Sequence, residues 1–389
     1  MEHTPRLYDT LKDVLGHHRQ WLDVRHMQTL VWMMVGLIES GLISLTQWAP
    51  FVHGRAVFAQ STVRRFARWL NNDRIDVHKL YGPLIQEALT SWGCHKLYLA
   101  LDTSMLWERY CIIRISLIYR GRAIPLVWQV IEHASSSIAF TTYEALLDKA
   151  ATLLPWHCEI VFLADRGFAD TALMRHASKL GWHWRIRIKG CFIVYRRGRR
   201  SLKLSDYALP AGHAHFWQHI HITAERYGPV YLALAHLAEN GERWFVVSDE
   251  ATSLTTLDEY GLRFDIEENF LDDKSNGFQL ESSLVRSADA LTRLGLVLAA
   301  TTLYLVAQGT EVVQQQKRRW VDAHWFRGSS YLKIGWHWVK RALSQGWALL
   351  RKLKLSGEPD PEPARASRNQ YIDNPGPAFK VKFVNYAET

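Results

Sequence analysis

Cysteine is scarce in this chain. Cys94, Cys111, Cys158 and Cys191 are the only four in 389 residues, and none belongs to a CxxC pair. That argues against a structural zinc site and fits a reduced compartment. Uninterrupted apolar runs of membrane-spanning length are also missing. The most apolar stretch, residues 30–45, is broken by Glu39, Ser40 and Gly41 and follows Arg25 and His26, so it reads as a buried helix pair. Residues 1–19 are charged and lack an apolar signal core. These absences predict a cytoplasmic protein with no membrane partner. Acidic charge is in the minority, with 38 Asp and Glu against 47 Lys and Arg and a pI of about 9.3. Such a balance suits an ordinary basic protein and a polyanion binder equally well.

The apolar share, 48%, is enough to bury a sizeable core. The cations are clustered: Arg64, Arg65 and Arg68; Arg185, Arg187 and Lys189; Arg196, Arg197, Arg199 and Arg200; Lys317, Arg318 and Arg319; then Lys340, Arg341, Arg351, Lys352 and Lys354. Trp69, Trp182, Trp184, Trp320, Trp336, Trp338 and Trp347 lie among them. Clustered cations release counterions from a phosphate backbone, and aromatics can stack on splayed bases. For most of these tryptophans, core packing is the plainer reading.

Hydrophobic periodicity divides the chain into six parts. Residues 1–92 read as helices, with Ser61 as the cap of a helix over 62–70 that turns Val63, Phe66 and Leu70 inward and its arginines outward. This region is either a small DNA-binding domain or a helical cap on the core. In 93–189, apolar strands at 97–101, 111–119, 123–130, 159–164 and 182–189 alternate with helices at 143–154 and 170–180. That order predicts a mixed α/β sheet with flanking helices. Residues 190–250 are strand-like with turns at 197–199, 210–212, 228–229 and 240–241, and read as an all-β insertion. Four histidines there, His213, His215, His219 and His221, alternate as strand faces do and have no cysteines beside them. Residues 251–310 return to helix, 311–355 are helical, basic and tryptophan-rich, and 356–389 form a flexible tail with Pro359, Pro361, Pro363, Pro375 and Pro377.

Two of the apolar strands run straight into an aspartate, Asp102 and Asp165. Ligands gather at the carboxyl ends of sheet strands, and two neighbouring carboxylates there can share divalent cations. Alone, either aspartate more often simply starts a loop. The segment 260–274 adds weight. Read as one helix, it places Tyr260, Arg263, Glu267 and Lys274 on a single face. An Arg fork and an ammonium beside a metal-ligating carboxylate suit a phosphate backbone, although an Arg–Glu surface pair has the same spacing. Asp265, Glu268, Asp272 and Asp273 read as solvated helix charges.

Those four positions match Y-x2-R-x3-E-x6-K, which resembles the signature of the YREK group, a bacterial insertion-sequence family of DDE transposases. LALDTS at 99–104, LADRGF at 163–168 and KLGWHWRIRIKG at 179–190 resemble that family's two aspartate blocks and the strand that follows. Asp165 lies 63 positions after Asp102, and Glu267 lies 102 after Asp165. The second gap is long for a bare RNase H-like core, and the family inserts a β-domain there. The resemblance implies an RNase H-like fold in which Asp102, Asp165 and Glu267 bind two Mg²⁺ (or Mn²⁺) ions and carry catalysis. It implies that Tyr260, Arg263 and Lys274 contact transposon-end DNA, and that Trp244, in RWFVV at 243–247, stacks on an extruded base. It further implies a homodimer acting on terminal inverted repeats and target DNA, by cut-and-paste that can pass through a hairpin, in the bacterial cytoplasm at the nucleoid. An RNase H-like nuclease or resolvase without strand transfer, or a domesticated non-catalytic DNA-binding protein, would share many of these features.

Overall fold

The computed structural model describes residues 3–18, 21, 23–54, 56–238, 240–274, 277–364 and 380–381. It begins with five helices: α1 (His3–Gly16), α2 (Val24–Ser40), α3 (Leu45–Trp48), α4 (Ala59–Leu70) and α5 (Val77–Ala88). Asp23 caps α2 and Asp76 caps α5, each accepting hydrogen bonds from backbone N–H groups of the first turn. In α4 the start lies upstream of Ser61, whose N–H already bonds the Phe58 carbonyl at 3.0 Å. Arg65 is half-buried near Tyr8 instead of facing water. These helices share one continuous apolar core with the sheet.

The sheet opens with an antiparallel meander of β1 (Lys96–Leu106), β2 (Tyr110–Tyr119) and β3 (Arg122–Glu132). All ten residues of β2 are buried, because helices or loops cover both faces; this is why it shows no polar alternation. Helix α6 (Phe140–Leu153) leads to β4 (Glu159–Ala164), and α7 (Thr171–Lys179) to β5 (His183–Arg187). Both strands run parallel to β1. The order β3-β2-β1-β4-β5 is the mixed, RNase H-like arrangement expected.

The inserted strands extend this sheet and do not close one of their own. They are β6 (Ile193–Tyr195), β7 (Leu202–Lys203), β8 (His213–Ile222), β9 (Tyr227–His236) and β10 (Arg243–Ser248). β10 pairs antiparallel with β5 from Val246↔Arg187 to Ser248↔Arg185, and β9, β8, β6 and β7 follow outward. With β11 (Lys380–Val381) beside β8, the sheet has eleven strands among the described residues. The physical reason is that β5 would otherwise present an unpaired edge.

Two helices follow, α8 (Leu254–Gly261) and α9 (Phe264–Asp273), where the sequence pattern suggested one. Next come α10 (Ala288–Gln314) and α11 (Tyr331–Gln345). By length and composition α10 could cross a membrane, but nearly all of it is buried as the central helix of the fold. It crosses α11 closely: a Cβ on Gly335 would stand 1.8 Å from the Leu305 carbonyl oxygen, so only glycine fits. The beginning of the tail is docked, with Arg318 bonded to Glu362 at 2.5 Å and Arg327 to Asp360 at 2.8 Å. Residues 365–379, with Pro375 and Pro377, and 382–389 lie outside the described residues.

Candidate catalytic carboxylates at the strand ends

The parallel pairing of β1 with β4 ends at Leu101↔Ala164, so the next residue on each strand is one of the two predicted aspartates. β1 itself continues against β2 to Leu106↔Tyr110. Asp102 therefore lies within a strand, at the point where its parallel neighbour departs. Asp165 opens a tight turn in which the Phe168 N–H bonds the Asp165 carbonyl at 2.9 Å, and the buried Phe168 ring anchors that turn.

Glu267 reaches the same place because α9 is fastened to the sheet. Arg114, on β2 directly beside Asp102, is 3% exposed; it donates to Asn269 at 2.8 Å and pairs with Asp273 at 2.6 Å. Its guanidinium also stands 4.6 Å from the Phe270 ring centroid. Arg122 pairs with Asp272 at 3.2 Å. Asp272 and Asp273 are thus buried anchors, not the solvated charges their place in the sequence suggested. Such ion pairs fix geometry because removing one partner strands a buried charge.

Arg263 occupies the turn between α8 and α9 and bridges the site, 3.4 Å from Asp102 and 2.5 Å from Glu267. Glu267 is half exposed, whereas the Asp102 side chain is 17% exposed. The Asp102 carboxyl is pushed up to about 6, first by burial. Arg263 and the Thr103 N–H, which donates to it at 2.7 Å, pull the other way, while the charges of Glu267 and Asp165 add to the rise. The charges of Glu267 and Asp165 therefore both act on Asp102.

The break between α8 and α9 alters the other predicted residues. Tyr260, Arg263, Glu267 and Lys274 do not share one helical face. Tyr260 is fully buried against Ala233, Ala235, Val246 and Leu257; burial pushes its hydroxyl up to about 12. Lys274 ends α9 and donates to the Met105 carbonyl at the end of β1, and burial lowers its pKa. Trp244 on β10 is half-buried, edge-on to Tyr260 at 5.3 Å and tilted over Phe264 at 5.8 Å. Trp244 and Arg263 thus share Phe264 as a neighbour, the Arg263 guanidinium lying 4.6 Å from its ring centroid.

Sequence reasoning missed Arg114, Phe264 and Arg187. Arg187 is 7% exposed, pairs with Glu242 at 2.6 Å and bonds the Arg243 carbonyl, tying β5 to β10 beneath Tyr260. The signal was available: arginines alternate with apolar residues in a strand at 185–188 and stand alone at 114. A cation inside an apolar strand requires a buried partner.

Among the described residues, the side chains already within ligating distance of one another are His183, Asp249 and Glu250, at the opposite end of the sheet. Arg185 pairs with that cluster's Asp249 at 3.5 Å and Glu250 at 2.7 Å, so its charge is answered by protein. The Asp102, Asp165 and Glu267 set has only oxygen donors and a deficit of positive charge, which suits a hard divalent cation.

An RNase H-like sheet with two acids where adjacent parallel strands part, and a third on α9 joined to the first through Arg263, defines a class of enzymes that act on phosphodiesters. Residues 108–304, half of the chain, match the family described as Transposase DDE domain, and the chain belongs to that family. The matched stretch includes Asp165 and Glu267 and begins just after Asp102. Among solved structures, the chain is similar to one described as a piggyBac transposase synaptic complex with hairpin DNA, at 10% identity and a TM-score of 0.47, covering 88% of this chain and 80% of that one. No curated protein matches. The protein is a transposase, an enzyme of DNA recombination that acts on DNA, and enzymes of this family use divalent metal ions.

Proposed function

We propose that the protein is an insertion-sequence transposase of the YREK group that cuts DNA at the ends of its own element and joins the freed 3′ ends to target DNA. Asp102, Asp165 and Glu267 would hold two Mg²⁺ ions, with Mn²⁺ able to substitute. When bound, these ions supply Lewis-acid activation and neutralise the charge that develops on phosphate. The observation that carries this reading is Arg263 joining Asp102 to Glu267 at the place where β1 and β4 part and Asp165 follows.

The chain's own groups supply the remaining parts. Arg263 presents a planar fork between Asp102 and Glu267, suited to a phosphate oxygen pair when DNA fills the site. Lys274 fixes the end of β1 through Met105. Tyr260 supports Arg263 and Trp244 from below, and Trp244 offers a face to a base drawn out of the element's end. Extrusion costs a few kcal/mol, which stacking can offset. The new 3′-OH then attacks either the opposite strand, closing a hairpin, or the target directly. Two ends held together imply a homodimer, and the work is done in the bacterial cytoplasm at the nucleoid. The basic helices of residues 1–92 and 311–355 add phosphate contacts.

The test is incubation of the full chain with DNA carrying the element's terminal inverted repeats and a target plasmid, with and without Mg²⁺. Metal-dependent cleavage followed by joined product is expected. Cleavage without any joined product would make the protein a nuclease or resolvase and overturn the proposal.

A further inference from the structure

A cavity of about 450 Å³ opens where the end of α10, the face of α11 and the chain beyond α11 meet. Its making can be followed from the sequence. Gly346 ends α11 in the left-handed region, φ 72°, and the Trp347 N–H bonds back to the Ala342 carbonyl at 2.8 Å. That capping turn folds Trp347 against the helix it has just left. The Trp347 ring centroid lies 5.3 Å from Trp338 and 5.1 Å from Trp320, which stands 6.1 Å from Trp338. Trp338 is 7% exposed and Trp320 47%, so the three indoles form a box with one open wall.

The polar groups around the box are two cations, a buried amide, and Glu311 with Gln315, which donates to Glu311 at 2.5 Å and accepts from Lys317 at 2.7 Å. Lys317 Nζ stands 5.8 Å from the Trp338 centroid and 5.9 Å from that of Trp320, and the Arg341 guanidinium lies 5.5 Å from Trp347. On the cavity wall is Gln308, 1% exposed, whose side-chain nitrogen has no hydrogen-bond partner. The Tyr304 hydroxyl one turn earlier lies near that amide but outside bonding geometry. A buried donor left unpaired is costly unless a ligand or water completes it. Indole faces want a flat aromatic partner, the free amide wants an acceptor, and the rim cations want negative charge. A nucleobase with its phosphate meets all three requirements.

The cavity is far from the carboxylates. Thr292, near the start of α10, accepts from Trp128, and Trp128 is level with Asp102 across β2. Gln308 is 16 residues further along that helix, roughly 24 Å at 1.5 Å per residue. We propose that Trp320, Trp338 and Trp347, with Gln308 and Lys317, form a second nucleobase pocket that takes one unpaired base of bound DNA, remote from the cutting site. This rests on the reading of the protein as DNA-binding.

The experiment uses the full chain and a short single-stranded oligothymidylate carrying one 2-aminopurine, titrated by fluorescence. Wild type should quench the probe. Trp320→Ala and Trp347→Ala should each weaken binding about tenfold or more, and Trp320→Phe should restore most of it, with thermal midpoints showing that all three fold. Gln308→Leu should weaken binding while leaving stability equal or higher, an outcome that a purely packing role would not produce. Unchanged affinity in both alanine variants overturns the pocket. So does occupation of the box by an acidic aromatic peptide that the oligonucleotide cannot displace. Cleavage of end DNA by wild type, measured on the same preparation, keeps the two readings apart: cleavage with no effect of the tryptophan changes sinks the pocket alone, and absence of all DNA binding sinks both.

Discussion

Two arginines gripped by carboxylates lie at opposite ends of the same strands. At the amino ends of β1, β4 and β5, Arg185 pairs with Asp249, Glu250 and Glu259 at 3.5, 2.7 and 3.0 Å. Lys96 adds bonds to Glu159 and Glu259, and His183 to Asp249. Although burial pushes Glu250 up, Arg185 holds it below the ordinary range. At the carboxyl ends, Arg263 is the one cation paired with Asp102 and Glu267 among the described residues, Lys274 is turned to a carbonyl, and Asp102 is pushed up to about 6. The residue types are the same and the outcomes are opposite. One cluster has enough cations to be structural glue. The other is left short of positive charge at the rim where loops leave the sheet, which is where a bound cation and a phosphate can make up the deficit.

That contrast can be broken by exchanging phenotypes. Asp165→Asn should lower metal-dependent end cleavage about 10³-fold with the urea midpoint unchanged, since Asp165 makes no ion pair among the described residues. Glu259→Gln should do the reverse. It removes one of the three carboxylates around Arg185 and one of the two on Lys96 and should cost about 1–3 kcal/mol in urea denaturation, while the folded fraction cleaves at the wild-type rate. If Glu259→Gln abolished cleavage in a stable protein, the two clusters would not differ in the way argued.

Smaller effects sharpen the same point. Mg²⁺ at about a hundredfold excess over its dissociation constant should stabilise wild type by about 2.7 kcal/mol, read as a raised thermal midpoint, and should do nothing for Asp165→Asn. Part of the pH dependence follows from Asp102. Its folded value, about 6, is above the ordinary carboxylate value near 3.9. The folded state therefore holds an extra proton between roughly pH 4 and 6, and this group's contribution to stability grows as pH falls through that window. Cation binding needs the ionised form, so it should weaken over the same range. Asp102→Asn should reduce the stability slope in that window and leave the part due to Asp265, which burial also pushes up to about 6. A slope equal to wild type would show that another group titrates there.

Much of this was legible before any coordinates. The apolar strands at 97–101 and 159–164 were visible because strands covered on both faces carry continuous apolar runs, and each led to its aspartate. The segment 260–274 pointed to Glu267 through residue spacing. The break at Leu262 and Arg263 follows Gly261, the last residue of α8, but a lone glycine near a helix end is a weak signal and the spacing of the four residues outweighed it. What imposes it is packing: Tyr260 goes into the pocket under Trp244, while Asn269 and Asp273 turn to Arg114. The role of Asp272 and Asp273 was hidden for the same reason, since their partners Arg122 and Arg114 are on other strands.

The amino-acid sequence by itself determined the order of strands and helices, the positions of the three acids and the spacing that ties Arg263 to Glu267, because periodicity and i, i+4 neighbours are properties of local chain. Only the tertiary structure decided which acids are neutralised and which are left free. Arg263 meets Asp102 across 161 positions and Arg185 meets Glu259 across 74. Charge balance is a sum over spatial neighbours, and folding alone chooses them.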